Sequence, residues 1–400
     1  MTQKDETVYS ERMSREERRA AAALAAIYFL RMFGLFLILP VLALYAGRLQ
    51  GATPFLIGLA LGAYGLTQAL FQIPFGMLSD RFGRKPVIIA GLLLFAAGGA
   101  VAALSGHVLG VILGRALQGT GAIAAAVMAL AADLTREAQR AKAMALIGVT
   151  IGFAFLSAFV AGPALDAVIG LPGLFWTAAV LALTSIAVLC WVVPQPRSVF
   201  HREPEPRDLR SLLGQAALLR INAGIFLLHA ILTATFVALP VTLRDGLGLA
   251  SAAHWQLYLP VILASAATVF PLIRLAARPG RGKSVFIGAI ATLAGAELVL
   301  AGSAHSLALV AAMVLLFFVA FNYLEASLPT LVSRLAPAAH RGTALGAYAM
   351  AQFIGTFLGG AAGGWLFGKL GAAGAYGLGA ALGVVWLVVA RTMGMPGAAQ

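Results

Sequence analysis

Gly76-Met77-Leu78-Ser79-Asp80-Arg81-Phe82-Gly83-Arg84-Lys85 is a charged turn set between two long apolar runs, roughly residues 55–78 and 86–106. Each run is about as long as the ~20 residues that cross a hydrocarbon core as a helix. Gly76 has no Cβ, so the first helix can approach a neighbour closely at its polar end. Asp80 stands at the membrane boundary, where a carboxylate can face the positive N-terminus of another helix for about 0.3–1 kcal/mol. The turn and its two runs form the unit from which the rest of the chain is read.

Outward from this turn the same alternation continues. The 400 residues are 61% hydrophobic and 11% charged, with a mean hydropathy of +0.92. A water-soluble exterior needs about 25% charged residues, so a soluble globular protein is excluded. A β-barrel is excluded too, because its strands would read as short alternating segments. Twelve candidate helices emerge, roughly 21–46, 55–78, 86–106, 108–132, 142–165 and 172–193, then 217–242, 252–274, 284–303, 306–332, 342–367 and 371–392. The predicted fold is all-α integral membrane, with a tail at 1–20, bundles of six helices at 21–193 and 217–392, a linker at 194–216 and a tail at 393–400. Residues 1–20 carry charges of both signs and precede a long apolar run, unlike a cleavable signal.

Net charge +13 would suggest nucleic acid as a partner, but the cations sort by loop. Of 28 Lys and Arg, 23 fall on the segments that share a side with both termini, and three (Arg48, Arg244, Lys369) fall on the other. Cytoplasmic loops carry this excess, so both termini are expected inside, with the bilayer and no nucleic acid as partner. Arg81-Phe82-Gly83-Arg84 recurs as Arg278-Pro279-Gly280-Arg281, and Arg140-Ala-Lys-Ala as Arg341-Gly-Thr-Ala, at offsets of 197 and 201 residues. Parallel repeats of this kind are a transporter architecture with binding at the repeat interface.

The decapeptide resembles motif A of the major facilitator superfamily. Gly114-Arg115-Ala116-Leu117-Gln118-Gly119-Thr120-Gly121-Ala122 resembles motif B of that family, and Gly148, Gly152 and Gly162-Pro163 resemble motif C of its drug:proton antiporters, with Asp166 where a glycine is expected. Phe71-Gln-Ile-Pro-Phe-Gly76 and Phe321-Asn-Tyr-Leu-Glu325-Ala look like the YajR subgroup. The resemblance implies two pseudo-symmetric bundles in a bacterial inner membrane, working as a monomer by alternating access. It also implies a cytoplasmic gate. In that gate Asp80 would face the start of the eleventh helix near Gly342 and Thr343, and Arg84 would pair with Asp133, beside Arg81, Gly83 and Lys85. Ala277 and Ile273 replace Asp80 and Gly76 in the second half, so the latch is expected on one side. Some members of the subgroup carry a further cytoplasmic domain; with the sequence ending at Gln400, none is expected here.

Ionisable residues inside apolar runs cost about 2.5–3.5 kcal/mol at the bilayer centre, and they imply a cavity or a partner. Arg31, Arg115, His229, Glu297 and Glu325 are the candidates for proton coupling, Arg115 through motif B. Each has a plainer alternative. Arg115 can snorkel to the outer interface, Glu325 can be a permanently charged partner of Arg31 or of a nearby helix terminus, and His229 can be a hydrogen-bonded core histidine. Tyr64, Gln68, Gln118, Asn322, Tyr323 and Gln352 are candidates to line a substrate pocket, or to join helices. No Walker A loop, HExxH or CxxC spacing occurs, and Cys190 is the single cysteine, so neither an enzyme nor a metal or other cofactor is expected. The expected function is proton-driven efflux of small hydrophobic or amphiphilic compounds. Proton-coupled import of a metabolite and a non-transporting membrane sensor are the alternatives.

Overall fold

The computed structural model describes residues 13–45, 47–195, 215–336 and 341–393. Most of the expected linker and parts of both tails lie outside the described residues. The helices are α1 Arg15–Phe36, α2 Pro54–Phe82, α3 Arg84–Leu104, α4 Val108–Thr120, α5 Ala124–Asp133 and α6 Glu137–Trp191. They continue as α7 Ala216–Val241, α8 His254–Ala276, α9 Gly282–Ser303, α10 Leu307–Leu335, α11 Arg341–Leu370 and α12 Ala372–Arg391. Among the described residues, ten segments are long and apolar enough to cross a membrane, with α4 and α5 counted as one.

Three boundaries differ from the sequence expectation. The first run does not stay helical to residue 46: α1 stops at Phe36, and Pro40 lies in turns that lead to a 3-10 segment, Leu42–Tyr45. A proline has no N–H to continue the helix. The fourth run breaks at 121–123, between α4 and α5, with Gly121 at the break. The fifth and sixth runs are parted by a kink and not a loop: the two arms of α6 meet at Gly170, at φ 65° and ψ 178°, within the gap expected between them. Glycine reaches this left-handed φ without a Cβ clash.

The helices pair in a repeated pattern. In the first half α1 packs on both arms of α6, α3 on α4 and on α6, and α2 on α4. In the second half α7 packs on α11 and α12, α9 on α10 and α12, and α8 on α10. The special backbone positions repeat as well. Gly170 has its counterpart in Gly371 at φ 66°, and Gly83 (φ 94°) in Gly280 (φ 74°). The recurrence of RFGR as RPGR is thus a recurrence of turn geometry.

Between the halves, α2 meets α11 and the first arm of α6 meets α8. On α2 the stripe Gly58, Gly62, Gly65, Gly76, Asp80 lies on one helical face. Its upper part is in backbone contact: a Cβ on Gly62 would lie 2.7 Å from the Phe357 carbonyl oxygen, and Gly58 lies against Gly360 and Gly364. Lower down the seam opens. Nothing among the described residues lies within 4 Å of a Cβ built on Gly342 or Gly346 of α11. The first arm of α6 repeats this, with Gly148 and Gly152 facing open space on the stripe where Phe155 and Phe159 are buried. Phe155 stacks on Phe321 and meets Phe36 edge to face, and Phe159 meets Phe236, Tyr258 and Phe318 edge to face, which plugs the closed end with aromatic rings. The two halves therefore diverge toward the end that bears Asp80.

Overpacking a tight helix contact costs about 1–3 kcal/mol. Gly62→Ala should lower stability by that amount in thermal or chemical unfolding in detergent, because backbone and not a movable side chain opposes it. Gly346→Ala, on the open part of α11, should lose nothing.

Candidate functional site

At the open end Arg84 is the hub. Gly83, left-handed at φ 94°, caps α3 and turns the chain so that Arg84 begins the next helix beside α2. Arg84 pairs with Asp80, reaches Asp133 at the end of α5 through Nε at 3.2 Å, and donates from a terminal nitrogen to Ser79 Oγ at 2.8 Å. Ser79 Oγ in turn donates to the Gly76 carbonyl at 2.8 Å. One guanidinium thus ties α2, α3 and α5 together. Arg81 is exposed, with its guanidinium 5.3 Å from the Phe82 ring centroid.

Asp80 does not face α11 in this structure. Its side chain is 59% exposed, and a Cβ on Gly342 would meet nothing within 4 Å among the described residues. Gly76 likewise meets only its own half, where a Cβ would sit 3.5 Å from Ala125. The close approach of α2 to another helix therefore occurs at Gly58–Gly65 and not at Gly76. The physical reason is the divergence of the halves, which removes the partner helix from the reach of a short aspartate.

Two further kinds of tie at this end were not anticipated, the first a lysine on a helix C-terminus in each half. Lys85 Nζ donates to the Val193 carbonyl at 2.6 Å, beyond the last turn of α6, and Lys283 Nζ donates to the Arg391 carbonyl at 2.9 Å, at the end of α12. A cation at a helix C-terminus is favoured by the free carbonyls and the helix dipole there. The repeat carries a legible signal for both, as each lysine follows its RxGR turn. The second tie is Glu17, buried on α1, which accepts from the Arg136 backbone N–H at 2.8 Å and from its guanidinium at 3.0 Å. This carboxylate holds the Arg136 guanidinium above its ordinary pKa. Ser14 and Glu17 form a capping box, whose S-x-x-E spacing is visible in the sequence.

Midway along the helices the buried cations lie in the first half. Arg31 is 1% exposed, donates to Gln68 Oε1 at 3.1 Å and to the Gly121 carbonyl at 2.8 Å, and sits 5.4 Å from the Phe95 ring centroid. The break between α4 and α5 supplies that carbonyl. Arg115 is 5% exposed and turns inward onto Gln118 Oε1 at 3.1 Å, the carbonyls of Ala60 and Leu61, and the Tyr64 ring. It does not snorkel outward. Tyr64, Gln68 and Gln118 are thereby occupied in holding guanidinium groups, and Gln68 also donates to Gln72 at 2.9 Å.

In the second half the acids gather. His229 on α7 has its Nε2 2.8 Å from Gln352 Nε2 on α11 and 3.9 Å from Glu325 Oε2 on α10. The Glu325 side chain is 37% exposed, although Oε2 itself is enclosed. Arg31 and Glu325 are not paired, since Arg31 is held by Gln68 and Gly121. Glu297 on α9 is 0% exposed, receives the Thr235 hydroxyl at 2.8 Å and lies against Gly379 of α12. Asn322 donates to Ser265 at 3.0 Å, while Tyr323 is buried in the apolar core of the second half. Gly162, beside Pro163, is pressed against the carbonyl of Leu37, the residue that follows α1. The sequence candidates thus fall into separate groups: the Arg84 hub, two guanidinium nests, the His229–Gln352–Glu325 cluster and the Glu297 pocket. Among the described residues no group of His, Cys, Asp or Glu could hold a metal ion.

A family model described as Major Facilitator Superfamily matches residues 24–360 and, separately, 221–396. The chain belongs to the Major Facilitator Superfamily. It is 49% identical over 388 residues to the inner membrane transport protein YajR of Escherichia coli K12, covering 96% of this chain and 85% of that protein. It is 25% identical to the multidrug resistance protein MdtH of Yersinia enterocolitica, covering 84% of each. A solved structure of a bacterial homolog of the human lysosomal transporter Spinster, inward-facing and occupied, superposes with a TM-score of 0.79 over 95% of this chain and 96% of that one, at 14% identity. As a member of the superfamily the protein is a multi-pass secondary transporter of a bacterial inner membrane, not an enzyme.

Charge at the Arg84 hub contributes little to stability, because exposed pairs are worth about 0.2–1 kcal/mol. Asp133→Asn should cost less than about 1 kcal/mol in chemical unfolding. Gly83→Ala, forced into a left-handed φ, should cost about 1–2 kcal/mol.

Proposed function

We propose that this chain is a proton-coupled exporter of small hydrophobic or amphiphilic compounds, working by rocking of two six-helix halves. The observation that carries the reading is the cluster of His229, Gln352 and Glu325. It lies where three helices of the second half meet, beside a seam that opens toward Asp80. A carboxylate with one oxygen enclosed near an imidazole and the rest of its side chain accessible can exchange a proton with the cavity. It can also bind a substrate group in that proton's place. Arg31 and Arg115 supply fixed positive charge in the opposite half.

The topology belongs to the same proposal. Counting the two arms of α6 separately and adding α11 to the ten apolar segments gives twelve spans. The Lys and Arg distribution supports both termini and the Arg84 hub on the cytoplasmic side. The open end is then cytoplasmic, and the present state is ready to receive a compound from inside. When the halves rock the other way, Asp80 would reach the N-terminus of α11 near Gly342 and Thr343, and the Arg84 hub would latch the cytoplasmic side. The pairing pattern supports a division into halves at about the proposed limits 21–193 and 217–392. Export is favoured over import by the motif C glycines on α6 and by the kinship with MdtH.

Purified protein in proteoliposomes tests the coupling. An imposed pH gradient should drive flux of members of a panel of amphiphilic compounds. Glu325→Gln should uncouple flux from the gradient, leaving exchange of labelled substrate intact. Asp80→Asn and Arg84→Ala should each slow net transport at least about tenfold, by analogy with losses of about 1.4 kcal/mol in barrier height. Gradient-driven uptake in the inward direction with no efflux would favour the symporter alternative.

A further inference from the structure

We propose that Arg244 is the latch of the outer end, opposite in the molecule to the Arg84 hub. α7 ends at Val241 and runs into a wide turn, Thr242–Gly246, that places Arg244 at the seam. The turn is firmly set. Leu243 is fully buried, its carbonyl accepts from the Leu249 N–H at 2.9 Å, and the Leu247 N–H donates to the Thr242 carbonyl at 3.0 Å. The Thr242 hydroxyl also receives the Tyr376 hydroxyl of α12 at 3.1 Å.

On this platform the guanidinium is divided between two partners. Nε and one terminal nitrogen bind the two oxygens of Asp245, at 2.6 and 2.9 Å. The other terminal nitrogen crosses from the second half to the first and donates to the Leu44 carbonyl at 2.8 Å. Leu44 belongs to the 3-10 segment that follows α1. The fork on Asp245 fixes the plane of the guanidinium, so that its remaining N–H groups aim at the opposite half. A planar, five-donor group suits this double task, and a lysine ammonium does not. The rest of the closed end relies on the glycine contacts of α2 with α11 and on the rings around Phe159, so it is insensitive to charge. Opening outward requires the Leu44 bond to break, while the Asp245 pair travels intact with the second half. Arg244 thus sets the balance between the two states, as the Asp80–Arg84 group is proposed to do from the other side.

The inference rests on the rocking of the two halves but not on proton coupling, and its test uses no gradient and no substrate. Spin labels at Gly47→Cys and Ala250→Cys, in a Cys190→Ser background, report the separation of the outer ends by pulsed dipolar spectroscopy. Arg244→Gln should raise the ratio of long to short distances about three- to tenfold, the scale of one charged hydrogen bond at a half-exposed site. Arg244→Lys should shift the ratio by less, and Asp245→Asn, which frees the plane but keeps the donor, should also give a smaller shift. Arg48→Gln should change nothing, because that neighbouring cation stacks on Tyr45 of its own half. If Arg244→Gln does not fold, the lysine variant and Asp245→Asn carry the test. Distance distributions unchanged from the parent in the folded Arg244 variants and in Asp245→Asn would overturn the proposal.

Discussion

Backbone contact between α2 and α11 is the constraint on which the rest of the structure depends. In lipid the hydrophobic effect does not draw helices together, so van der Waals contact and hydrogen bonds must do so. Gly58, Gly62 and Gly65 on one side, and Gly360 and Gly364 on the other, bring two helix axes close enough for backbone to meet backbone. The second face of α11 repeats the device toward α7, where Gly355, Gly359 and Gly363 lie against Phe226, Ala230 and Ala234. α11 is therefore clamped on two sides at one end, while a Cβ on Gly342 or Gly346 would meet nothing among the described residues. A helix held in this way transmits the relative tilt of the halves directly to its open end.

Electrostatics follow the same division. The two buried cations of the first half are satisfied by carbonyls and amides, with Arg31 on the Gly121 carbonyl and Arg115 on Gln118. These nests engage terminal guanidinium nitrogens of both arginines, while the enclosed Arg31 Nε has no hydrogen-bond partner among the described residues. The second half keeps its ionisable groups loosely bound: Glu325 and His229 stand 3.9 Å apart, beyond a direct hydrogen bond. A looser pair can gain and lose a proton with less structural cost than a fully bonded one. Fixed charge on one side and titratable charge on the other is the asymmetry on which the proposed coupling rests.

Much of this was legible in the sequence. The apolar runs, the charge bias and the RxGR repeat predicted a helical membrane protein with related halves, because lipid imposes length and composition rules that a single sequence displays. The pairing of Arg84 with Asp133, beside Gly83, was implied by the resemblance to motif A, and the two lie 3.2 Å apart. What escaped notice depended on long-range placement. Glu17 with Arg136, and Lys85 with Val193, join residues about a hundred positions apart, so no local pattern linked them. The break at Gly121 was hidden within a continuous apolar run, where a glycine reads equally well as a packing residue, whereas the break at Gly170 falls in the gap expected between the fifth and sixth runs. The open state itself has no sequence signature, since motif A is compatible with both states. Tyr64, Gln68 and Gln118 read as pocket residues because polarity in a span signals function or partnership, and the guanidinium groups that claim them lie on other helices or one turn away.

The central proposition is that the seam is a rocker, closed at one end when open at the other. Two spin-label pairs measured on the same preparation test it most directly, one at Phe82 and Leu345 on the basic end and one at the opposite end of α2 and α11. Rocking predicts anticorrelated distances: conditions that shorten the Phe82–Leu345 separation lengthen the other in equal proportion of molecules. Distances that stay fixed at both ends, or lengthen at both together, would contradict it.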